Sequence, residues 1–122
     1  MVPELALEFD TVHNLFMAYF RETTYLTDII EESHNNPVII FKYSNDCNSS
    51  SVLKKELESK GIKSPIYLVT VQIHKALSQK IEEAFKIKHE SPQIIILDKN
   101  KVTYTAHHEN IKINDIIRIH EK

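Results

Sequence analysis

Apolar positions in this chain come in short bursts separated by polar turns, and their spacing changes from burst to burst. Residues 1–20 carry two patterns at once. Leu5, Leu7 and Phe9 alternate as on a strand, while Leu5, Phe9, Val12, Phe16 and Tyr19 recur as on one helix face. Periodicity does not choose between them, but Asp10 or Thr11 can cap a helix running to about Phe20. Residues 1–22 are therefore read as a helical N-terminal extension. From Thr24 the pattern is that of an amphipathic helix, with Leu26, Ile29 and Ile30 inward, Glu31 and Glu32 outward, and a stop at His34, Asn35 and Asn36.

Pro37 opens a different element. Val38, Ile39, Ile40 and Phe41 are continuously apolar, which suits a strand covered on both faces. A polar segment, residues 44–51, leads into a helix over 52–58. Gly61, the only glycine, falls just past that helix, where a left-handed residue ends it. A second strand follows Pro65 over 66–71, a third helix spans 75–85 and a third strand 93–97. Asp98, Lys99, Asn100 and Lys101 read as a tight hairpin into a fourth strand, 102–105. A final helix over 112–121 places Ile113, Ile116, Ile117 and His120 on one face. Strands joined by helices imply parallel pairs, and the hairpin adds an antiparallel one. The expectation is an α/β domain over residues 23–122. Its sheet is small, mixed and about four-stranded, with helices on both faces.

Composition removes several function classes. The chain has 122 residues and a net charge of −2, with 15 basic and 17 acidic residues interspersed. A nucleic-acid stripe would need clustered Lys and Arg. No run of about 18 apolar residues is present. With one glycine, a phosphate-cradling loop is excluded, and no H-E-x-x-H, C-x-x-C or G-x-G-x-x-G pattern occurs. Cys47 is the only cysteine, so no intrachain disulfide forms. That usage, and an N-terminus without a positively charged leader, gives a cytoplasmic expectation.

Cys47 is the most informative position. It follows a buried strand and lies where the next helix begins, where free backbone N–H groups and the helix dipole stabilise a thiolate. Asn48, Ser49 and Ser50 are placed to support it. Asp46 acts in the opposite sense, because a neighbouring carboxylate raises a thiol's pKa. From position alone an inert buried cysteine stays open as the alternative. Lys42, at the end of the strand before Cys47, is either a cation for the thiolate or a solvated strand-end lysine. His89 is either an imidazolium near the thiolate or a loop-bracing residue. His107 and His108 are adjacent on a strand and point to opposite faces, so no metal site is expected.

Three stretches taken together carry a family resemblance. They are Val38 to Ser44, then Cys47 and Ser50 in C-x-x-S spacing, then Lys88-His89-Glu90-Ser91-Pro92-Gln93. This pattern resembles the monothiol bacilliredoxins, the YtxJ-type bacillithiol-system redox proteins. It covers about residues 23–119. Residues 106–111 are similar to the family's C-terminal Ser-His-Trp block, in looser form. The resemblance implies a thioredoxin-like fold, with Cys47 as the catalytic cysteine and Ser50 where dithiol relatives hold a second one. It implies that Pro92 is a cis-proline facing the thiol, with the Ser91 backbone pairing with substrate. No bound cofactor is implied. Bacillithiol or another low-molecular-weight thiol would be the co-substrate, and S-thiolated proteins the partners. The departures are Asn48 where the family commonly has Pro, the acid at Asp46, and His108 in place of Trp. Two other readings stand beside this one. One is a glutaredoxin-like protein that uses glutathione or carries an iron–sulfur cluster, although Cys47-Asn48-Ser49-Ser50 lacks the usual Gly and Phe. The other is a thioredoxin-like binding module without redox activity.

Overall fold

A computed structural model of the chain describes residues 20–120. Of the helical extension expected over residues 1–22, residues 1–19 lie outside them. Phe20 and Arg21 do not continue a helix. They form a short strand, β1 (Phe20–Arg21), that pairs parallel with Ile66 and Tyr67. Helix α1 (Leu26–Ser33) follows, then β2 (Val38–Tyr43), α2 (Asn48–Ser59), β3 (Ile66–Thr70) and α3 (Lys75–Phe85). The chain finishes with β4 (Gln93–Asp98), β5 (Lys101–His107), a 3-10 turn (His108–Asn110) and α4 (Ile113–His120). The sheet thus has five strands rather than about four, in the order β1-β3-β2-β4-β5. The extra strand is two residues long and too short to show a period of its own.

Apolar runs are continuous in β2 and β4 because each strand feeds two cores. Ile39, Phe41, Ile94 and Ile96 pack with Leu53 and Leu57 of α2 and Ile116 of α4. Val38, Ile40, Ile95 and Leu97 pack with Ile29 of α1 and with Leu77 and Ile81 of α3. Alternation along β2 therefore sends Lys42 to the α1/α3 face, behind Val38 and Ile40.

One pairing differs from expectation. β2 and β3 are parallel, but β4 runs antiparallel to β2, although a helix precedes it. The cause lies in residues 86–92. Lys86 turns the chain in a left-handed conformation (φ 55°). The segment then doubles back along α3, with the His89 N–H on the Glu82 carboxylate (2.8 Å) and the His89 ring at Ser78 (3.3 Å). The chain re-enters the sheet at the end where β2 finishes, so Gln93 pairs with Lys42. The turn residues behave as read. Gly61 is left-handed (φ 61°) after α2, and Lys99 and Asn100 (φ 51° and 60°) form a two-residue hairpin with positive φ at both positions.

Phe41 is fully buried between sheet and helices. Its replacement by Ala is expected to cost about 3–5 kcal/mol, measured by urea denaturation. A loss below about 1 kcal/mol would contradict this packing.

Candidate active site

Cys47 is the residue before the first turn of α2, in extended conformation (φ −110°, ψ 117°). Its carbonyl accepts the Ser51 N–H (3.3 Å), the first bond of the helix, and its own N–H donates to the Ser44 carbonyl (3.3 Å). The sulfur is thus held at the end where α2 leaves its N–H groups unsatisfied. The Cys47 thiol lies below its ordinary pKa. The backbone N–H and hydroxyl of Ser50 contribute most, and those of Ser49 add to them. Burial opposes the shift and is outweighed. Peptide N–H groups and serine hydroxyls stabilise the thiolate by donating to it.

Ser50 is fully buried, and its hydroxyl oxygen also accepts the Ser44 N–H (3.3 Å). One side chain therefore ties the loop before Cys47 to the helix after it. Gln72, just beyond β3, braces the same loop. Its amide donates to Ser44 Oγ (2.8 Å), and its carbonyl accepts the Asn45 N–H (3.1 Å). Asp46 is exposed and is not among the groups that shift the thiol.

Asn48 and Ser49 open onto a cavity of about 350 Å³. Its other walls are Val52, Leu53 and Glu56 of α2, together with Pro92, His108, Glu109 and Ile111. The Ser91–Pro92 bond is cis. The Pro92 carbonyl accepts the His108 N–H (3.0 Å), with His108 left-handed (φ 52°). His108 Nε2–H donates to Glu90 (3.0 Å), which pulls the Glu90 carboxyl below its usual range. The proline, the first turns of α2 and the turn after β5 thus frame one cavity, whose wall begins at Asn48, the residue after Cys47. His107 and His108 do not alternate as strand neighbours, because the left-handed residue breaks the period between them. Their rings meet edge to face at 5.4 Å. Among the described residues no group of three or more His, Cys, Asp or Glu gathers as metal ligands.

Lys42 and His89 meet each other away from the groups that act on the Cys47 thiol, and His89 takes the loop-bracing role. Lys42 is not a solvated strand-end residue, being 0% exposed. Its ammonium donates to the Ser78 carbonyl (3.1 Å) and to His89 Nδ1 (3.2 Å). Nδ1 must then carry a lone pair, so the ring is neutral with its proton on Nε2. Burial lowers Lys42 to about 8, and Glu82 partly offsets this. Burial and the Lys42 charge together lower His89. Neither residue is among the groups acting on the Cys47 thiol. They instead anchor the segment that carries Ser91 and Pro92. An isolated buried ammonium costs several kcal/mol, whereas a shielded charge-assisted hydrogen bond returns about 1.5–3 kcal/mol. The Glu90–His108 pair is exposed, so solvent screens it.

The chain matches the family model described as "Monothiol bacilliredoxin BrxC" over residues 20–116. The chain belongs to the monothiol bacilliredoxin family. Among solved structures it is similar to a protein named provisionally as an oxidoreductase with a thioredoxin fold. That match has 22% identity over 84% of this chain and 94% of the other, at a TM-score of 0.69. It is also similar to thioredoxin f from spinach chloroplast, at 13% identity over 87% and 94%, TM-score 0.66. A third is thioredoxin from Trypanosoma brucei brucei, at 13% identity over 84% and 94%, TM-score 0.65. These likenesses establish a thioredoxin fold. Family and fold together make this bacilliredoxin-family chain a thiol redox protein. No helix among the described residues is long and apolar enough to cross a membrane.

Reading the sequence missed Gln72, Ser44, Ser78 and Glu82. Gln72 had one usable signal, since it follows a parallel strand on the edge where functional loops collect. Ser78 and Glu82 had none, because only the return of residues 86–92 along α3 brings them to Lys42.

Two expectations follow. Iodoacetamide should react with Cys47 with a pH midpoint below the ~8.5 of a free thiol, and Ser50→Ala should raise it. An unchanged midpoint would remove Ser50 from thiolate support. The second concerns stability. Native Lys42 titrates at about 8 rather than 10.5, so between those values the unfolded chain binds more protons and stability rises with pH. His89 is shifted in the same direction from 6.5, so stability falls on acidification below that value. Denaturant midpoints compared with Lys42→Met should show the alkaline rise in the native protein alone.

Proposed function

We propose that this chain removes low-molecular-weight thiols from proteins capped as mixed disulfides, with Cys47 as the only redox cysteine. The observation that carries the reading is a Cys47 thiol held below its ordinary pKa at the start of α2, the helix whose next residues, Asn48 and Ser49, share a cavity with Pro92. The thiolate attacks the sulfur of the small-thiol cap. The bond between cap and client breaks, and the client leaves as a thiolate. Cys47 is left in a disulfide with the cap. A second small-thiol anion attacks that cap sulfur, restores the Cys47 thiolate and leaves as the symmetric small-molecule disulfide. In sum, one capped client and one added small thiol give one free client thiol and one symmetric small-molecule disulfide, and no second protein cysteine is needed.

Asn48 and Ser49 contact the cavity where the cap or client would lie, and the Ser91 backbone is offered as an extra strand partner. Bacillithiol is the small thiol expected for a member of this family, and S-thiolated proteins are the clients. Asp46 does not argue for a binding module without redox activity, since it leaves the thiol shift intact.

A model protein capped with bacillithiol or with glutathione, incubated with the chain and followed by intact mass, tests the reading. The bacillithiol cap should be lost, at least tenfold faster than the glutathione cap, and Cys47→Ser should abolish the loss. Preferential loss of glutathione would assign that thiol instead. Retention of both caps would overturn the redox reading.

A further inference from the structure

The segment that presents Ser91 and Pro92 is held by few bonds of its own. Ser91 Oγ is buried without a hydrogen-bond partner, and so is Gln93 Oε1 just beyond the proline. The fastenings come from either side. Gln93 Nε2 donates to the Lys88 carbonyl (3.0 Å), and the His89 N–H donates to Glu82 (2.8 Å). The Glu90–His108 pair is exposed. On the same side the Pro92 carbonyl accepts the His108 N–H (3.0 Å). The buried fastening is at His89 Nδ1, which accepts from Lys42 Nζ (3.2 Å) and lies 3.3 Å from Ser78 Oγ, while Lys42 Nζ also donates to the Ser78 carbonyl.

Lys42 and Gln93 are cross-strand partners on adjacent strands, so the ammonium sits under the point where the segment enters the sheet. A lysine with no exposed surface, on a strand whose other inward residues are apolar, is costly unless something depends on it. A methionine would fill the same space with no charge to satisfy. Residues Val71, Lys75, Ser78, Gln79, Glu82 and His89 line a cavity of about 260 Å³ over this cluster. Lys75, Glu82 and His89 are therefore the titratable groups that face it, with Glu90 next along the chain.

We infer that Lys42 is a positioning residue. Its buried ammonium, acting through His89, fixes the 88–92 segment so that the Ser91 backbone and Pro92 stand ready for the client beside Cys47. This rests on the reading of Cys47 as the redox cysteine. Lys42 does not activate the thiol, and that separates its effect from a change in Cys47 reactivity.

The test uses Lys42→Met, His89→Leu and His89→Asn in the full chain. Asn offers its carbonyl oxygen near the place of Nδ1, whereas Leu has the shape without the acceptor. Lys42→Met and His89→Leu should each lower kcat/KM for cap removal at least tenfold, mainly by raising KM, and the double variant should be no worse than either. His89→Asn should stay within threefold of the native chain. The iodoacetamide rate at Cys47 should stay within twofold in all variants. Full activity in Lys42→Met, or an equal fall in alkylation, would overturn the inference.

Amide hydrogen exchange gives a readout independent of activity. Lys42→Met should speed exchange at residues 88–91 at least tenfold and leave β2 and β3 unchanged. If the native chain removes no cap, the proposed function fails, and so does the part of this inference that serves a client. Exchange then still decides whether Lys42 fixes the segment, and unchanged exchange overturns that as well.

Discussion

Strand β2 is paired on both edges and covered on both faces, and the rest of the structure follows from that enclosure. Its side chains alternate between the α2/α4 core and the α1/α3 core. A polar residue on it cannot reach water and must find partners inside. Lys42 is that residue. Meeting its need draws in Ser78 from α3 and His89 from the returning segment. Where β2 ends, the chain emerges at one end of the sheet, turns through a loop braced by Ser50 and Gln72, and starts α2 at Cys47. The returning segment reaches the same end. Cys47 and the cis-proline thus reach the same end of the sheet from residues 45 positions apart in sequence.

The chemistry at that end uses neutral groups. The thiol is lowered by peptide N–H groups and serine hydroxyls at the start of a helix, not by a neighbouring cation. The cations and imidazoles of the region have other duties. Lys42 and His89 hold the proline segment from below, and His108 holds it from the side through Glu90 and the Pro92 carbonyl. His108, which stands in place of the Trp of the resembled pattern, lines the cavity beside α2.

Much of this was legible in the sequence where physical signals are local. The doubly apolar runs of β2 and β4, the glycine after α2 and the hairpin at Lys99 and Asn100 each carry their own cause. The Cys47 position was legible because a polar, helix-opening segment after a buried strand has few other uses. What escaped needed tertiary information. β1 is two residues long and is defined only by its pairing with β3. The direction of β4 depends on residues 86–92 folding back along α3. The environment of Lys42 depends on that same return, which encloses a strand-end lysine that the sequence left open between a cation for the thiolate and a solvated residue.

The proposed chemistry turns on one step, in which Cys47 attacks the small-thiol sulfur of a capped client and carries the cap away. Intact mass after a single turnover, with equimolar capped client and no added thiol, isolates that step. This chain should gain the mass of one cap at Cys47 while the client is released with a free thiol. A persistent disulfide between the two proteins, or a cap that stays on the client, would contradict it.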